Sequence, residues 1–376
     1  MTDSDSGIIG IVTIPDVTNY SPERINRSIG RILQQDYEVD FVGAERASDL
    51  IRSHFDLYSY YTRSRSNDLL RKLLLVPLTV LTVVRYVFER DPDVLVSFGN
   101  LGINGLICTL VSRVTAITSV VRVTSDLHEI WRYQATWRGK LSIFVRNNVL
   151  GHLAVRFADH VITLGPRMQR KLIDRGISAD KIHIAPQPPQ VETIDREAEI
   201  DLRVEYSIPD DADIVLFVGY FKQSKGPKRL VRTIEYVLER DDDVHFVVAG
   251  SGGSYDDYVR STLAEYDAVH MTGWIDHDDL YDYYTQADIF LQTSNTEGLP
   301  NVVLEGLYYG VPVVATDSGG EVIEYVTNIG DEYEELGQFI INRHERVVLD
   351  ELPEMATPEG NERRYQTLFA CIIDAH

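Results

Sequence analysis

TEGLPNVVLEGLYYGVPVVATDSGG, residues 296 to 320, sets two acids, Glu297 and Glu305, around a helix start at Leu299-Pro300-Asn301. Proline suits the first helical position, where a missing N–H costs nothing. Gly310 suits the residue just past a helix end, and Pro312 cannot continue the helix. The spacing therefore predicts a strand at 289–292, an acidic loop, a short helix, and a buried strand over 311–315. Free amide groups at such a helix start bind anions. Carboxylates beside an anion site are tolerated when they face hydroxyl-rich groups instead, so the expected ligand carries both phosphate and sugar hydroxyls, as a nucleotide sugar does.

The stretch closely resembles the Glu-x7-Glu signature of the retaining glycosyltransferases of family 4, and Ser318-Gly319-Gly320 after the second strand strengthens the likeness. The resemblance runs roughly from Gly7 to Ala315, with its specific motifs in the C-terminal half. It implies the α/β GT-B fold, two Rossmann-like doubly wound domains facing a cleft. It also implies that Glu297 lies beside the transferred sugar, that Glu305 holds the ribose hydroxyls, and that Gly298, Leu299, Asn301, Val302, Gly319 and Gly320 line the donor. On the bare residues, the two acids also read as solvated carboxylates near a helix N-terminus.

A second motif follows the strand predicted at 214–218. GYFKQSKGPKRL, residues 219 to 230, holds Lys222, Lys225 and Lys228, three of only seven lysines. A glycine-led loop with ammonium groups between strand and helix is a phosphate site. It matches the family loop ending in Lys-Gly, here Lys225-Gly226, which implies that Lys225 grips the diphosphate and that Gly219 approaches it. The family carries Arg directly after the glycine, whereas this chain has Tyr220. That substitution keeps a second reading open, a non-catalytic binding subunit of the same fold. Another enzyme of the fold, such as a nucleotide-sugar epimerase, is a further alternative. A phosphorylase is disfavoured because no lysine follows Lys228.

Gly250-Ser251-Gly252-Gly253 reads as a turn able to approach the nucleotide closely, and Gly273-Trp274-Ile275 corresponds to the family's nucleobase turn. Trp274 is expected either to stack on a base or to join the core. Five strand–helix steps from about 213 to 325 read as one parallel sheet.

The N-terminal half repeats the alternation more weakly, with strands expected at 8–14, 94–98, 117–123 and 161–164, and a last strand at 182–186. Ligands in such sheets bind beyond the carboxyl ends of strands. Thr124-Ser125-Asp126-Leu127-His128-Glu129 sits at one such end. The resemblance implies a His or Asp near the sugar here; Asp126 and His128 both fit, and each also reads as a cap or a loop residue. Gln187-Pro188-Pro189-Gln190 reads as a stiff linker, giving an acceptor-side domain over 1–187 and a nucleotide-sugar domain over 188–355. Residues 356–376 are expected to return to the first domain as a helix.

Composition frames the function. The 376 residues suit two domains. The start, MTDSDSG, is polar, and the longest apolar run, Leu73 to Val84, is short of the roughly 20 residues needed to span a bilayer. A cytoplasmic protein is expected. Cys108 and Cys371 both sit in apolar contexts and suggest neither disulfides nor a metal cluster. No cofactor is expected beyond the nucleotide sugar as co-substrate, and no metal is expected, since no Asp-x-Asp cluster sits beside the phosphate loops. The net charge of −22 argues against nucleic acid as a partner and, with the scarcity of lysine, resembles the habit of salt-loving archaea. Against that field, residues 63–90 and 131–158 are locally basic and apolar. Such helices lie on anionic membranes, so peripheral membrane contact is expected, with a glycan or lipid-linked saccharide as acceptor. The plainer reading is core helices whose arginines pair with nearby acids.

Overall fold

The computed structural model describes residues 7–12, 20–43, 55–58, 68–98, 101–124, 130–134, 136–191, 198–342, 353–354 and 357–374. The chain divides into two compact units, one formed by residues up to Pro188 together with those from Pro358 onward, the other by Pro189–Thr357.

The first unit is built on a seven-stranded parallel sheet. Its strands are β1 (Ile8–Val12), β2 (Glu38–Val42), β3 (Asp56–Tyr58), β4 (Val94–Ser97), β5 (Thr118–Val123), β6 (His160–Thr163) and β7 (Ile182–Ile184). Their order across the sheet is β3-β2-β1-β4-β5-β6-β7. Strands buried on both faces need continuous apolar runs, and Ile-Ile-Gly-Ile-Val of β1 and Val-Leu-Val-Ser of β4 supply them. One face packs the helix Tyr20–Leu33 beside the C-terminal helix Pro358–Asp374. Inside this packing Tyr365 donates to the Ala185 carbonyl at 3.2 Å, and buried Arg122 donates to the Tyr365 hydroxyl at 3.1 Å. The helices Asp68–Arg90 and Leu106–Thr115 contribute a second cluster with Val12, Val42 and Leu95.

The second unit holds six parallel strands, β8 (Asp213–Val218), β9 (Val244–Ala249), β10 (Val269–Gly273), β11 (Ile289–Gln292), β12 (Val313–Ala315) and β13 (Asn328–Ile329). Their order is β10-β9-β8-β11-β12-β13. In each sheet the order reverses once, between β1 and β4 and between β8 and β11. Loops leaving the carboxyl ends of strands diverge at such a reversal and open a ligand crevice.

Several expectations change in detail. β2 and β3 were not foreseen, and β13 extends the second sheet beyond the expected steps. Asp40, in the middle of β2, hides the apolar pattern; it is buried, and the Tyr86 hydroxyl donates to it at 3.0 Å. Pro300 is the residue before the helix, at φ −68° and ψ 124°, and Asn301 is the first helical residue. The acidic stretch after Trp274 forms a short turn, His277–Asp279, and then the helix Leu280–Tyr284. Cys371 is exposed despite its apolar neighbours.

Two histidine pairs bridge neighbouring strands. His160 Nδ1 and His183 Nε2 lie 3.0 Å apart, and His245 Nδ1 and His270 Nε2 lie 3.1 Å apart. Burial, above all, pushes all four pKa values down. The folded state then binds protons less readily than the unfolded chain, so the stability these groups contribute is present above the ordinary histidine value and drains away as pH falls below it. Between pH 7.5 and 5 the melting temperature should fall from this source. Replacing His183 and His270 by Gln should flatten that slope; an unaltered slope would assign the acid sensitivity elsewhere.

Candidate donor site at the second sheet reversal

The loops after β8 and β11, which leave the reversal side by side, are stitched together by hydrogen bonds. The Asn295 amide donates to the Ser224 carbonyl at 2.8 Å, Asn295 Nδ2 donates to the Gln223 carbonyl at 2.7 Å, and Thr293 Oγ1 donates to the Lys225 carbonyl at 3.1 Å. Gly226 makes this approach possible. Its φ is +65°, and a Cβ there would overlap the Thr293 carbonyl oxygen. A third loop closes from β12: the Glu297 amide donates to the Ser318 carbonyl at 3.1 Å, and a Cβ on Gly320 would overlap the Gly298 carbonyl oxygen.

This stitching brings Lys225 and Glu297 into direct contact, Nζ against Oε1, with Ser294 Oγ donating to the same carboxylate oxygen at 3.0 Å. The helix Asn301–Tyr308 begins four residues on, and no side chain caps its start. Its first N–H groups therefore remain available to an anion. Leu299 is buried beneath the turn. The helix ends at Gly310, whose φ of +76° is the left-handed conformation that glycine adopts without cost.

Glu305, one turn into that helix, is almost wholly buried. His277 Nε2 lies 3.1 Å from one carboxylate oxygen, and the Tyr284 hydroxyl donates to the other at 3.0 Å. Burial first, and the Glu305 charge second, push the Tyr284 pKa well up, so the phenol stays a proton donor. Glu305 and His277 line a small pocket together with Gln190, Leu280, Tyr281 and Tyr309.

The other expected residues spread around this core. Gly219 and Gly250 meet where β8 and β9 end: a Cβ on Gly250 would overlap the Gly219 carbonyl oxygen. Lys222 lies over the Tyr220 ring at 5.0 Å and Lys228 lies 5.8 Å from Tyr255, so Lys225 alone of the three meets Glu297. Trp274 is half exposed, its ring 5.5 Å from Tyr220 and its Nε1 donating to Asp276 at 3.3 Å, which excludes a core role. Ile275 follows it, partly buried. The Gly319 amide donates to the Asp317 side chain at 3.0 Å. Val302, second in the helix, is partly buried. Asp126 and His128 lie outside the described residues.

Ser294, His277 and Tyr284 were not anticipated. Ser294 sits three residues before Glu297 in Thr-Ser-Asn-Thr-Glu, a spacing that a reading of the loop as a turn would have exposed. Among the described residues, Glu38, Asp40 and Asp56 cluster closely enough to ligate a cation, but the Arg90 guanidinium pairs with Glu38 and Asp40 and supplies the positive charge there.

Known proteins resemble this chain in sequence over part of its length and in fold over nearly all of it. Residues 199–331 match the family of glycosyl transferases group 1. An uncharacterised glycosyltransferase of Methanocaldococcus jannaschii is 32% identical over 137 residues, 35% of this chain and 35% of that protein. The alignment thus spans about a third of that relative's length. The structure of the Anabaena protein HepE in complex with UDP covers 98% of this chain and 100% of HepE, with a TM-score of 0.69 at 16% identity. A Listeria monocytogenes protein provisionally assigned as a UDP-N-acetylglucosamine 2-epimerase covers 98% of this chain and 96% of its own, with a TM-score of 0.64 at 13% identity. At such identities the likeness concerns the fold, which is GT-B. The group 1 match holds every residue named in the donor site from Gly219 to Gly320.

Proposed function

We propose that this chain transfers a glycosyl group from a nucleoside-diphosphate sugar to an acceptor hydroxyl with retention of anomeric configuration, as the family 4 enzymes do. The observation that carries the proposal is the meeting of Lys225 and Glu297 at the sheet reversal, beside an uncapped helix start. The diphosphate gathers negative charge as its bond to the sugar breaks. Lys225 and the Asn301 and Val302 amides are set to stabilise that charge, and fixed donors of this kind act without reorganising. An arriving diphosphate competes for Lys225 and releases the Glu297 carboxylate toward the sugar, where it supports developing positive charge at the anomeric carbon. Glu305, held by His277 and Tyr284, receives the ribose hydroxyls. Asp126 or His128 serves the acceptor side. The charge stabilisation described draws on Lys225 and backbone amides and calls on no metal.

HepE was solved with UDP, which supports a nucleotide partner of this kind. The acceptor is a glycan or a lipid-linked saccharide of cell-surface or glycoprotein synthesis. The −22 charge fits a protein working in concentrated salt, where screening shortens to about 3 Å at 1 M. Its melting temperature should then rise as KCl goes from dilute to molar, and a flat response would remove the saline reading.

Lys225→Ala should weaken binding of a nucleoside diphosphate by roughly 1.5–3 kcal/mol, about 10- to 150-fold in Kd. Titration calorimetry reads this directly. A much smaller loss would move the contact to Lys222 or Lys228.

Tyr220, standing where the family has Arg, favours one rival, a subunit that binds donor without turning it over. Incubation with UDP-glucose, UDP-N-acetylglucosamine and GDP-mannose separates the readings. Release of nucleoside diphosphate supports transfer, and donor isomerisation without release supports an epimerase. Binding with neither supports the subunit.

A further inference from the structure

We infer that the Trp137–Val149 face of the first unit docks on an anionic lipid surface. The inference is independent of the transfer chemistry. Thr136 starts this segment by accepting from the Gly139 amide at 3.1 Å, and the helix Trp137–Phe144 runs without a break into the wider π-helical turns of Val145–Gly151. Trp137, Leu141, Phe144, Val145 and Val149 recur at helical spacing and are 69%, 55%, 41%, 41% and 45% exposed. That makes an apolar stripe about three turns long. The core-facing side of the segment is already used: Asn147 and Gly151 are buried, and the Arg146 backbone abuts Gly102 so closely that a Cβ on Gly102 would overlap it. The stripe therefore has no place in the unit's own core.

Charge decides what covers it. Residues 131–158 contain five arginines or lysines and no acid, in a chain of net charge −22. The Arg138 guanidinium lies 5.4 Å from the Trp137 ring, so cation and aromatic stand together at the edge of the stripe. Tryptophan beside a basic group suits the headgroup level of a membrane, with the apolar side chains reaching just below. Anionic headgroups answer the arginines at contact range. A second copy of the chain fits worse. A symmetric pairing on this stripe would set Arg138 and Lys140 against their own copies, and an unsymmetric one would set apolar side chains against an acidic surface.

Flotation of the full chain with vesicles tests this. The vesicles are phosphatidylcholine alone or phosphatidylcholine with about 30 mol% phosphatidylglycerol, in the lowest KCl at which circular dichroism shows the fold intact. The bound fraction should be at least about tenfold higher on the anionic vesicles. It should be lost in Phe144→Glu/Val149→Glu and reduced about tenfold or more in Arg138→Glu/Lys140→Glu. All four positions lie outside the core, and unchanged circular dichroism confirms that the variants fold. Equal binding to both vesicle types, or unaltered binding by either variant, overturns the inference. So does absence of vesicle binding combined with a dimer that Phe144→Glu dissociates, which would assign the face to a second copy.

Discussion

Glu297→Gln should lower the transfer rate by about 10²–10³-fold, the scale of removing one fixed electrostatic contributor from a reaction centre. Glutamine keeps the volume of the side chain and can still accept from Ser294 Oγ, which now lies 3.0 Å away. What it removes is the charge that contacts Lys225. Without that counter-charge Lys225 loses its resident partner, so affinity for a nucleoside diphosphate should stay level or rise. The expected pattern is thus a fall in kcat with no loss of diphosphate binding, the signature of an interaction made in the transition state. Unchanged turnover would remove Glu297 from the chemistry. A parallel loss of diphosphate binding would mean that its role is to hold the loop.

Gly226→Ala should damage the donor loops severely for so small a change. At φ +65° an L-residue costs about 1–2 kcal/mol. The added methyl would also overlap the Thr293 carbonyl, and overpacking of this kind costs about 1–3 kcal/mol. A total of about 2–5 kcal/mol is expected, read as a lower urea midpoint. Diphosphate binding should fall with it, because the same overlap pushes Thr293 and Asn295 away from Gln223 and Lys225. Gly252→Ala is the control. Gly252 has φ +75° but open space around it, so only the backbone cost of about 1–2 kcal/mol applies. Equal losses in the two variants would show that the loops are not held together as described.

The legible and illegible parts of this chain differ for physical reasons. Residues 296–320 could be read because proline and glycine mark a helix start and end, and because β11 and β12 are short unbroken apolar runs. Lys225 stood out against a lysine-poor, acidic background. The pairing of Lys225 with Glu297 could not be read, since 72 residues separate them and only the parallel order β8-β11 brings them together. The partners of Glu305 were hidden in the same way, because His277 and Tyr284 lie on a neighbouring turn and helix and carry no motif of their own. β2 was lost to its buried Asp40, whose carboxylate is offset by Arg90 and by a tyrosine hydroxyl 46 residues away. Trp274 was ambiguous as a large apolar residue, and only its exposure beside Tyr220 settles that it is not core.

The central claim is that Lys225 and the start of the helix Asn301–Tyr308 hold the diphosphate of an activated sugar. Crystals grown with UDP, GDP or ADP test it most directly. The prediction is density for the terminal phosphate within hydrogen-bonding distance of Lys225 Nζ and the Asn301 amide, with the Lys225–Glu297 contact opened. A nucleotide bound elsewhere on the second unit, with Lys225 still against Glu297, would contradict it.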